Sequence, residues 1–394
     1  MTAINLHNND EFSEALYKRM QSISPAIKGL ELYEFRYALE NVLPPGGWAS
    51  VVIKPMAEVE RLVSDSSFYT SIQLRPKQGS RMVMDPQVLS LLQMLFTGLV
   101  CGSYPAAWIN EHFSFDVRGF YFIHRTRYYT KKVIQHMGGE PYRAFVPKQA
   151  AFENVQSVGY KAFKEANAEV DQAFINLTST LVEKKGIPVI IAIAGQTAAG
   201  KTEIVERLQS AFRNCGKSLA TVEIDHFLTD RDYREAKGID SLGKEALHYD
   251  MLLGCIKDLY AGKAVSTPQY DFLQATSSHT VEGELKAGCQ PLRIEPAEII
   301  FMEGNFPFLL PEIAHLIGIK AMYLTDDAVR LKRKWKRDMD YRKKYELYYF
   351  LNRYFREQFL MAEQVYIPQM EICDLIVDTT QAEIWVSDEV KARL

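Results

Sequence analysis

The sequence predicts an α/β fold for its second half: a parallel sheet of five strands with helices on both faces. From Ile187 onward, short apolar runs alternate with amphipathic stretches, as strands and helices do in a parallel sheet. A glycine-rich turn, Gly195–Gly200, joins the first apolar run to the first amphipathic stretch. At 394 residues the chain is too long for one ordinary core, so we expect a separate N-terminal domain.

The elements of the second half follow one another regularly. Five strands are predicted at Ile187–Ala194, Leu219–Ile224, Glu298–Met302, Ile319–Leu324 and Leu375–Asp378. Helices are predicted at Lys201–Phe212, Gly243–Tyr260, Ala328–Arg337 and Tyr345–Gln364. Because ligands bind beyond the carboxyl ends of the strands in such folds, the residues that follow each strand are the candidates for function.

The first half predicts a mostly helical or α+β domain over residues 1–150, with no recognisable chemistry. Helices are predicted at Asp10–Met20, Gly29–Asn41, Met56–Ser64 and Pro86–Val100, and a strand at Trp48–Ile53. Apolar residues at helical spacing then predict one amphipathic helix over Phe152–Lys185. The predicted organisation is therefore a domain at 1–150, a linking helix at 151–186 and a second domain at 187–394.

Composition excludes several classes of partner. Hydrophobic residues are 47% and charged residues 24%, and the net charge of −3 gives no general reason to expect nucleic acid. The apolar stretch Val88–Cys101 is too short to span a bilayer. Met1–Asp10 lacks the pattern of a signal peptide, and the five cysteines form no metal-ligand pairs. We therefore expect a cytoplasmic protein with no membrane partner; whether it forms a homo-oligomer stays open.

The turn after the first strand has the spacing of a phosphate-binding loop. Gly, four residues and then Gly-Lys-Thr let main-chain N–H groups point inward at a phosphate chain, at the N-terminus of a helix. Lys201 is expected to reach the outer phosphates of ATP, and Thr202 to hold Mg²⁺. The residues predicted to bind the nucleotide here are Gly195, Gln196, Thr197, Ala198, Ala199, Gly200, Lys201 and Thr202.

Two acidic residues lie at the ends of the next strands. Asp225 follows the second strand and is a candidate base for an acceptor hydroxyl. Glu303 ends the third and is a candidate ligand of Mg²⁺. The segment Asp326–Lys344 is strongly basic and could close over the phosphates as a lid, although a solvated helix face is the simpler interpretation of a charge run.

Residues 113–132 mix aromatic and basic side chains. Such a pattern could stack and neutralise single-stranded nucleic acid. We prefer the alternative of a core with a solvated rim, because the overall charge is close to neutral.

Taken together, residues 187–380 resemble the uridine kinase and phosphoribulokinase family of P-loop kinases. Besides the loop, the motifs that carry the resemblance are Ile224–Phe227, Asp230–Asp232, Ser241–Leu247, Thr267–Phe272, Ile300–Gly304, Arg330–Asp338 and Cys373–Asp378. The resemblance implies a P-loop fold and an ATP- and Mg²⁺-dependent kinase that phosphorylates a hydroxyl of a small metabolite. A nucleoside, or a sugar or other polyol, is the expected acceptor.

The resemblance also assigns roles by position. Lys201, Asp225 and Arg337 would be catalytic, and Arg333 and Arg342 would belong to the nucleotide-binding lid. Tyr270 and Asp271 would shape the acceptor pocket, with His226 beside them, and the metal would be held by Thr202 and Glu303. Tyr233 lies in the loop from Asp230 to Asp240, which could recognise a different acceptor.

The sequence departs from uridine kinases on the acceptor side. The position of their uracil-contacting histidine is Ala275, and the nearest histidine is His279. A lid arginine is replaced by Lys334, and Leu228 stands where a tyrosine often follows the base. These changes leave an alternative function open, a regulatory module in which bound ATP controls partner binding through the N-terminal domain.

Overall fold

A computed structural model of the chain describes residues 4–65, 67–68, 75–76, 82–117, 119–149, 151–152, 158–239, 243–342 and 359–394. The chain divides into two compact units. The first comprises Met1–Arg127, Ala151–Tyr160 and Glu346–Ala362. The second comprises Tyr128–Ala150, Lys161–Tyr345 and Glu363–Leu394. The segment 151–186, predicted as a linking helix, thus falls mostly within the second unit. That the chain folds as separate domains with the predicted boundaries stays a prediction.

Helices and strands occupy the following residues. The helices are α1 Asn9–Ile23, α2 Leu32–Glu40, α3 Met56–Ser64, α4 Pro86–Cys101, α5 Ala106–His112, α6 Lys131–His136, α7 Tyr160–Ala166, α8 Ala168–Lys185, α9 Lys201–Asn214, α10 Arg231–Lys237, α11 Tyr249–Tyr260, α12 Asp327–Asp340, α13 Phe359–Met361, α14 Ile367–Met370 and α15 Asp388–Lys391. The strands are β1 Arg75–Pro76, β2 Met82–Val83, β3 Phe113–Asp116, β4 Tyr121–His124, β5 Arg143–Ala144, β6 Val189–Ala194, β7 Leu219–Glu223, β8 Val265–Thr267, β9 Tyr270–Asp271, β10 Thr276–Ser277, β11 Leu292–Ile294, β12 Ile299–Gly304, β13 Ile317–Leu324, β14 Leu375–Asp378 and β15 Glu383–Val386.

The second unit is built on a seven-stranded sheet in the order β5-β15-β14-β13-β6-β12-β7. Its five strands from β14 to β7 are parallel, which confirms the predicted five-stranded parallel sheet. The prediction did not include β15 and β5, which extend one edge in antiparallel fashion. The fold is therefore α/β with a large, mostly parallel sheet.

Strands β6 and β12, inside this sheet, are shielded from solvent. Every residue of β6 and of β12 is buried. Apolar side chains of α8 and α9, such as Phe174 and Leu208, pack in one cluster with side chains of these strands. Burying one such side chain contributes roughly 1.5–3 kcal/mol, so the cluster fixes the strands that carry the loop and the acidic residues.

The first unit contains α1 to α5 and two small antiparallel pairs, β1–β2 and β3–β4. Its core is aromatic: the Phe96 ring lies 5.6 Å from Phe122 and 5.8 Å from Phe115. Burial of these rings agrees with the core interpretation of residues 113–132. The strand predicted at Trp48–Ile53 is wrong. Trp48–Ser50 forms a 3₁₀ turn, and the Trp48 ring stacks on Phe12 at 4.2 Å.

Two other helix predictions need comment. The helix predicted over Phe152–Lys185 is two helices in the described residues, α7 and α8, separated at Asn167. Much of the predicted helix Tyr345–Gln364, together with Lys343 and Lys344, lies outside the described residues, as do Asp240 to Leu242. Within the described ranges, no helix combines the length and apolar character needed to cross a membrane.

Candidate active site

The predicted phosphate loop lies between β6 and α9. A Cβ atom at Gly195 would come within 2.3 Å of the Tyr323 carbonyl oxygen, so only glycine fits there. Gly200 has a φ of +108°, and a Cβ there would lie 3.0 Å from the Arg333 guanidinium. Ala198 adopts a φ of +65°, a left-handed conformation that a non-glycine residue takes only when its surroundings impose it. The loop is therefore held in one tightly packed main-chain conformation.

Lys201 lies at the centre of the charged groups. Its Nζ donates hydrogen bonds to the carbonyl oxygens of Gly195, at 2.9 Å, and Gln196, at 3.1 Å. Burial lowers the pKa of the Lys201 ammonium; the charges of Asp225 and Glu303 oppose that effect, and Arg337 adds to it. The structure thus brings the ammonium, both acidic residues and the lid arginine within the range of one another's charge.

The strand register explains why the acidic residues meet the loop. Glu303 of β12 lies opposite Ile193 of β6 on one side and Glu223 of β7 on the other. Asp225 follows Glu223 by two residues, in the 3₁₀ turn Ile224–Phe227. Since all three strands are parallel, their carboxyl ends share one edge of the sheet. Asp225 is therefore on the same edge as the phosphate loop.

The predicted metal ligands are in direct contact. The Thr202 hydroxyl donates to Glu303 Oε1 at 3.0 Å. The other carboxylate oxygen, Oε2, is buried and has no hydrogen-bond partner in the described part of the chain. Burial raises the pKa of Glu303 to about 7, aided by Glu223 and Asp225 and opposed by Lys201 and Thr202. A hydroxyl and an unpartnered carboxylate oxygen suit Mg²⁺, which prefers oxygen ligands and retains water and phosphate in its shell.

Among the described residues, no three His, Cys, Asp or Glu side chains cluster closely enough to hold a metal ion by themselves. Thr202 and Glu303 therefore fit Mg²⁺ only as part of a coordination shell that phosphate oxygens and water complete.

The three lid arginines contact different parts of the site. Arg333 donates to the Ala199 carbonyl oxygen at 3.1 Å and lies 4.8 Å over the Phe163 ring. Arg337 acts on Lys201 through its charge. Arg342 lies 4.9 Å over the Phe272 ring, beyond strand β9. The basic segment is thus in contact with both the phosphate loop and the residues around Tyr270.

Lys334, which replaces a lid arginine, has a structural contact. Its Nζ forms a buried ion pair with Asp338 at 2.7 Å. Burial by itself would raise the pKa of Asp338, but Lys334, Arg337 and Arg342 together lower it below its usual value. Lys334 therefore braces α12, and the neighbouring arginines carry the charge that faces the site.

Two residues of the predicted acceptor side, His226 and Tyr270, lie with Arg234 and Phe272 in one connected group. The Tyr270 N–H donates to His226 Nδ1 at 3.2 Å, and Arg234 donates to the Tyr270 hydroxyl at 3.2 Å. Arg234 also donates to the Thr229 carbonyl oxygen and is buried. The turn that carries Asp225 and His226 is thereby tied to strand β9.

Two predicted acceptor residues have less direct positions. Asp271 is exposed, and its Oδ1 accepts the main-chain N–H groups of Leu273 and Gln274 at 2.7 and 3.0 Å. It shapes the turn after β9. Tyr233 is partly buried on α10, next to Arg234.

Several residues of the site escaped the sequence prediction. Tyr366 is fully buried and shares a hydrogen bond with the Thr197 main chain. Burial raises the pKa of the Tyr366 hydroxyl. The Arg330 charge opposes that rise, and the Asp225 charge adds to it. Thr325 donates to the Ala199 carbonyl oxygen at 2.9 Å. Asp171 accepts a hydrogen bond from Tyr323 at 2.6 Å. An acidic residue among the apolar positions of α8 was the available signal, because it lies one residue after Val170 and three before Phe174.

Comparison with known proteins agrees with this geometry. The model of the phosphoribulokinase/uridine kinase family matches residues 190–383. A uridine kinase of Streptococcus gordonii is 30% identical over 158 residues, which are 39% of this chain and 70% of the relative. A uridine kinase of Lactobacillus helveticus is 28% identical over 198 residues, 48% of this chain and 86% of the relative.

Solved structures of kinases show weaker likeness. A D-glycerate 3-kinase of Cryptococcus neoformans has 12% identity and a TM-score of 0.37, covering 55% of this chain and 97% of its own. A TM-score of that size has no bearing on the acceptor. The family model and the bacterial relatives, with the loop and the acidic residues on one edge of the sheet, show that the chain belongs to the phosphoribulokinase/uridine kinase family of ATP-dependent small-molecule kinases.

Proposed function

We propose that the chain transfers the γ-phosphoryl group of ATP to a hydroxyl group of a nucleoside, or of a sugar or other polyol. The observation that carries the proposal is the meeting of Lys201 with Asp225 and Glu303 at the edge of the sheet that bears the loop. Phosphoryl transfer needs such a combination of a phosphate cradle, a cation and a carboxylate.

The residues divide the work as follows. Asp225 accepts the proton of the acceptor hydroxyl as the hydroxyl oxygen attacks the γ-phosphorus, and the bond from the γ-phosphorus to the bridging oxygen breaks so that ADP leaves. Lys201 and Arg337 stabilise the negative charge that spreads over the phosphoryl oxygens during transfer. Thr202 and Glu303 hold Mg²⁺, which when bound neutralises charge between the outer phosphates. Arg333 holds the lid helix α12 against the loop through the Ala199 carbonyl oxygen.

The acceptor side supports recognition of a polyhydroxylated molecule. His226, Tyr270 and Arg234 form one hydrogen-bonded group beside Asp225. The relatives named above are uridine kinases, which favours a nucleoside. Ala275, however, carries no hydrogen-bonding side chain, and His279 is buried and hydrogen bonded to Ser278 at 2.9 Å. A base contact like that of uridine kinases therefore lacks its histidine, and the acceptor differs from uridine or is held by other groups.

The test is an acceptor panel with the full chain, Mg²⁺ and ATP. Nucleosides, pentoses, hexoses and smaller polyols are each offered separately, and both ADP and the phosphate ester are measured. We expect one acceptor class to raise ADP formation well above the background hydrolysis rate and to yield its ester in equal amount. Tight binding of Mg·ATP with no acceptor-dependent turnover would contradict the proposal and favour the regulatory alternative.

A further inference from the structure

Two segments of the second unit lie upstream of the family-matched residues 190–383, yet one extends its sheet and the other packs in its core. Strand β5, from the segment 128–149, pairs with β15 at the edge of the sheet. Helix α8, from the segment 161–185, packs through Phe174 and Leu181 in the cluster that covers β6 and β13. Both segments also send polar side chains towards the phosphate loop.

The first polar connection runs through Asp171 of α8. Asp171 is buried, pairs with Arg207 of α9 and accepts the Tyr323 hydroxyl hydrogen at 2.6 Å. Tyr323 in turn touches both ends of the loop. Its carbonyl oxygen is the atom that a Cβ at Gly195 would meet at 2.3 Å, and its ring is 3.4 Å from a Cβ at Gly200. Asp171 therefore holds the hydroxyl of the ring that lies against Gly200, on a residue whose carbonyl oxygen lies against Gly195.

The second connection is a chain of buried side chains. Gln149 donates to Asn167 at the start of α8, and its Oε1 lies 3.3 Å from the Thr379 hydroxyl oxygen. Thr379 and Thr325 share a hydrogen bond of 2.7 Å. Thr325 reaches the loop, with its hydroxyl 2.9 Å from the Ala199 carbonyl oxygen. A continuous polar path thus leads from segments upstream of the family-matched residues to the loop main chain.

We propose that Asp171, with Gln149, is a positioning residue for the phosphate loop, so that the two upstream segments set the affinity of the kinase for ATP. The proposal rests on the proposed function, since it assumes that the loop binds ATP. Buried polar groups with fully satisfied partners specify one geometry, and a loop that must align several N–H groups on a phosphate chain depends on that geometry. A side chain that never touches the nucleotide then acts on it through Tyr323 and Thr325.

The first experiment uses Tyr323→Phe in the full chain. The substitution removes only the hydroxyl that Asp171 accepts and keeps the ring against Gly200. We expect the Kd for Mg·ATP, measured by calorimetry, to rise about tenfold, the loss expected for one buried hydrogen bond to a charged group. Because the acceptor residues do not contact Tyr323 in the described structure, the KM for the acceptor should stay within about twofold.

Asp171→Asn is the second variant, because asparagine keeps an oxygen for the Tyr323 hydroxyl but removes the charge that pairs with Arg207. We expect a rise in the Kd for Mg·ATP here too. Its matched control is Glu169→Gln, on the same helix, which loses one charge from an exposed pair with Lys148 at 3.2 Å. The control should bind Mg·ATP as the wild type does.

Four outcomes distinguish the proposed function from the positioning role. A wild-type chain that binds no Mg·ATP would remove the proposed function itself. A wild type that binds, with Tyr323→Phe and Asp171→Asn folded and equally tight, would overturn the positioning role. A lower thermal midpoint in both variants with an unchanged Kd would also overturn it, because that pattern reports stability alone. A raised Kd and KM for ATP at an unchanged acceptor KM supports the proposal.

Discussion

The nucleotide side and the acceptor side of this site are built from different parts of the chain. The nucleotide side is mostly main chain: Gly195 and Gly200 shape it, and Lys201 is held by two loop carbonyl oxygens. The acceptor side is mostly side chain, with Arg234 bonded to Tyr270 and the Tyr270 N–H bonded to His226.

This difference in construction determines how much the sequence pattern of each side indicates about function. A main-chain cradle demands glycine at fixed places, so its sequence pattern survives wherever the geometry does. A recognition surface of side chains can change its specificity by single replacements, and Ala275 stands where the resemblance to uridine kinases places a uracil-contacting histidine. The predicted nucleotide side therefore carries the pattern of the family, and the proposed acceptor side is where its members can differ.

The largest expected effect separates the two sides most sharply. Asp225→Asn removes the proposed base and should lower kcat by about 10²- to 10⁴-fold, while the Kd for Mg·ATP stays within about twofold. Single-turnover kinetics and calorimetry measure the two quantities. Asp250→Asn, at an exposed acid early in α11, is the matched control. A wild-type rate in Asp225→Asn would disprove the assigned base.

A substitution on the nucleotide side should have the opposite signature. Gly195→Ala places a Cβ 2.3 Å from the Tyr323 carbonyl oxygen, so the loop must move. We expect the Kd for Mg·ATP to rise about tenfold or more, because the N–H groups no longer converge on the phosphates. Gly254→Ala on α11, where a Cβ meets nothing within 4 Å, serves as control. An unchanged Kd for Mg·ATP would contradict this prediction, because it would show that the displaced loop binds ATP as well as the original one.

On the acceptor side, Tyr270→Phe removes the hydroxyl that Arg234 contacts at 3.2 Å. The acceptor KM should rise about three- to tenfold, the cost of one hydrogen bond, with the KM for ATP unchanged. Steady-state kinetics with each substrate varied in turn give both values. Tyr249→Phe, which removes an exposed hydroxyl bonded to Glu312 at 2.6 Å, should change neither. A rise in the KM for ATP with an unchanged acceptor KM would contradict the prediction and show that Tyr270 belongs to the nucleotide side.

The smallest expected effect is a loss of stability at acidic pH. His248 is buried, and its Nε2 lies 3.1 Å from the Ser277 hydroxyl of β10. Burial lowers the pKa of the His248 imidazole. The charges of His279 and Lys286 lower that pKa further, and the charge of Asp230 opposes the lowering. The unfolded chain then binds the proton better, so the free energy of unfolding falls as the pH drops below about 6.5. Between about pH 7.5 and about pH 5.5, the thermal midpoint should fall more for the wild type than for His248→Gln. Equal falls would show that this imidazole does not contribute.

Sequence patterns predicted the parts of the fold that depend on local order. The five parallel strands are short apolar runs, and the loop between β6 and α9 has its glycine spacing. The edge strands were missed because β5 is only Arg143–Ala144, two exposed residues whose extended shape comes from pairing with β15. Trp48 was placed in a strand because its apolar neighbours suggested one, while its stacking on Phe12 is a tertiary contact.

The candidate site divides in the same way. Lys201 and Asp225 lie beyond strand ends and Glu303 lies near the end of β12, so all three could be placed from the sequence alone. Asp171 and Tyr323 are joined only by folding, since no local pattern relates an acid on α8 to a hydroxyl on β13. The break at Asn167 is not visible in the apolar spacing either: the residue has φ −89° and ψ −4°, and its side chain accepts a hydrogen bond from Gln149.

The pairing of Arg143 with Ile384 also affects how the chain can assemble. During synthesis β5 emerges long before β15, so this edge of the sheet cannot close until β15 has left the ribosome. In a chain without β5, the N–H and C=O groups along one side of β15 are open to strands from other copies. Aggregation during expression should therefore track removal of residues before 150, even where every predicted kinase motif is intact.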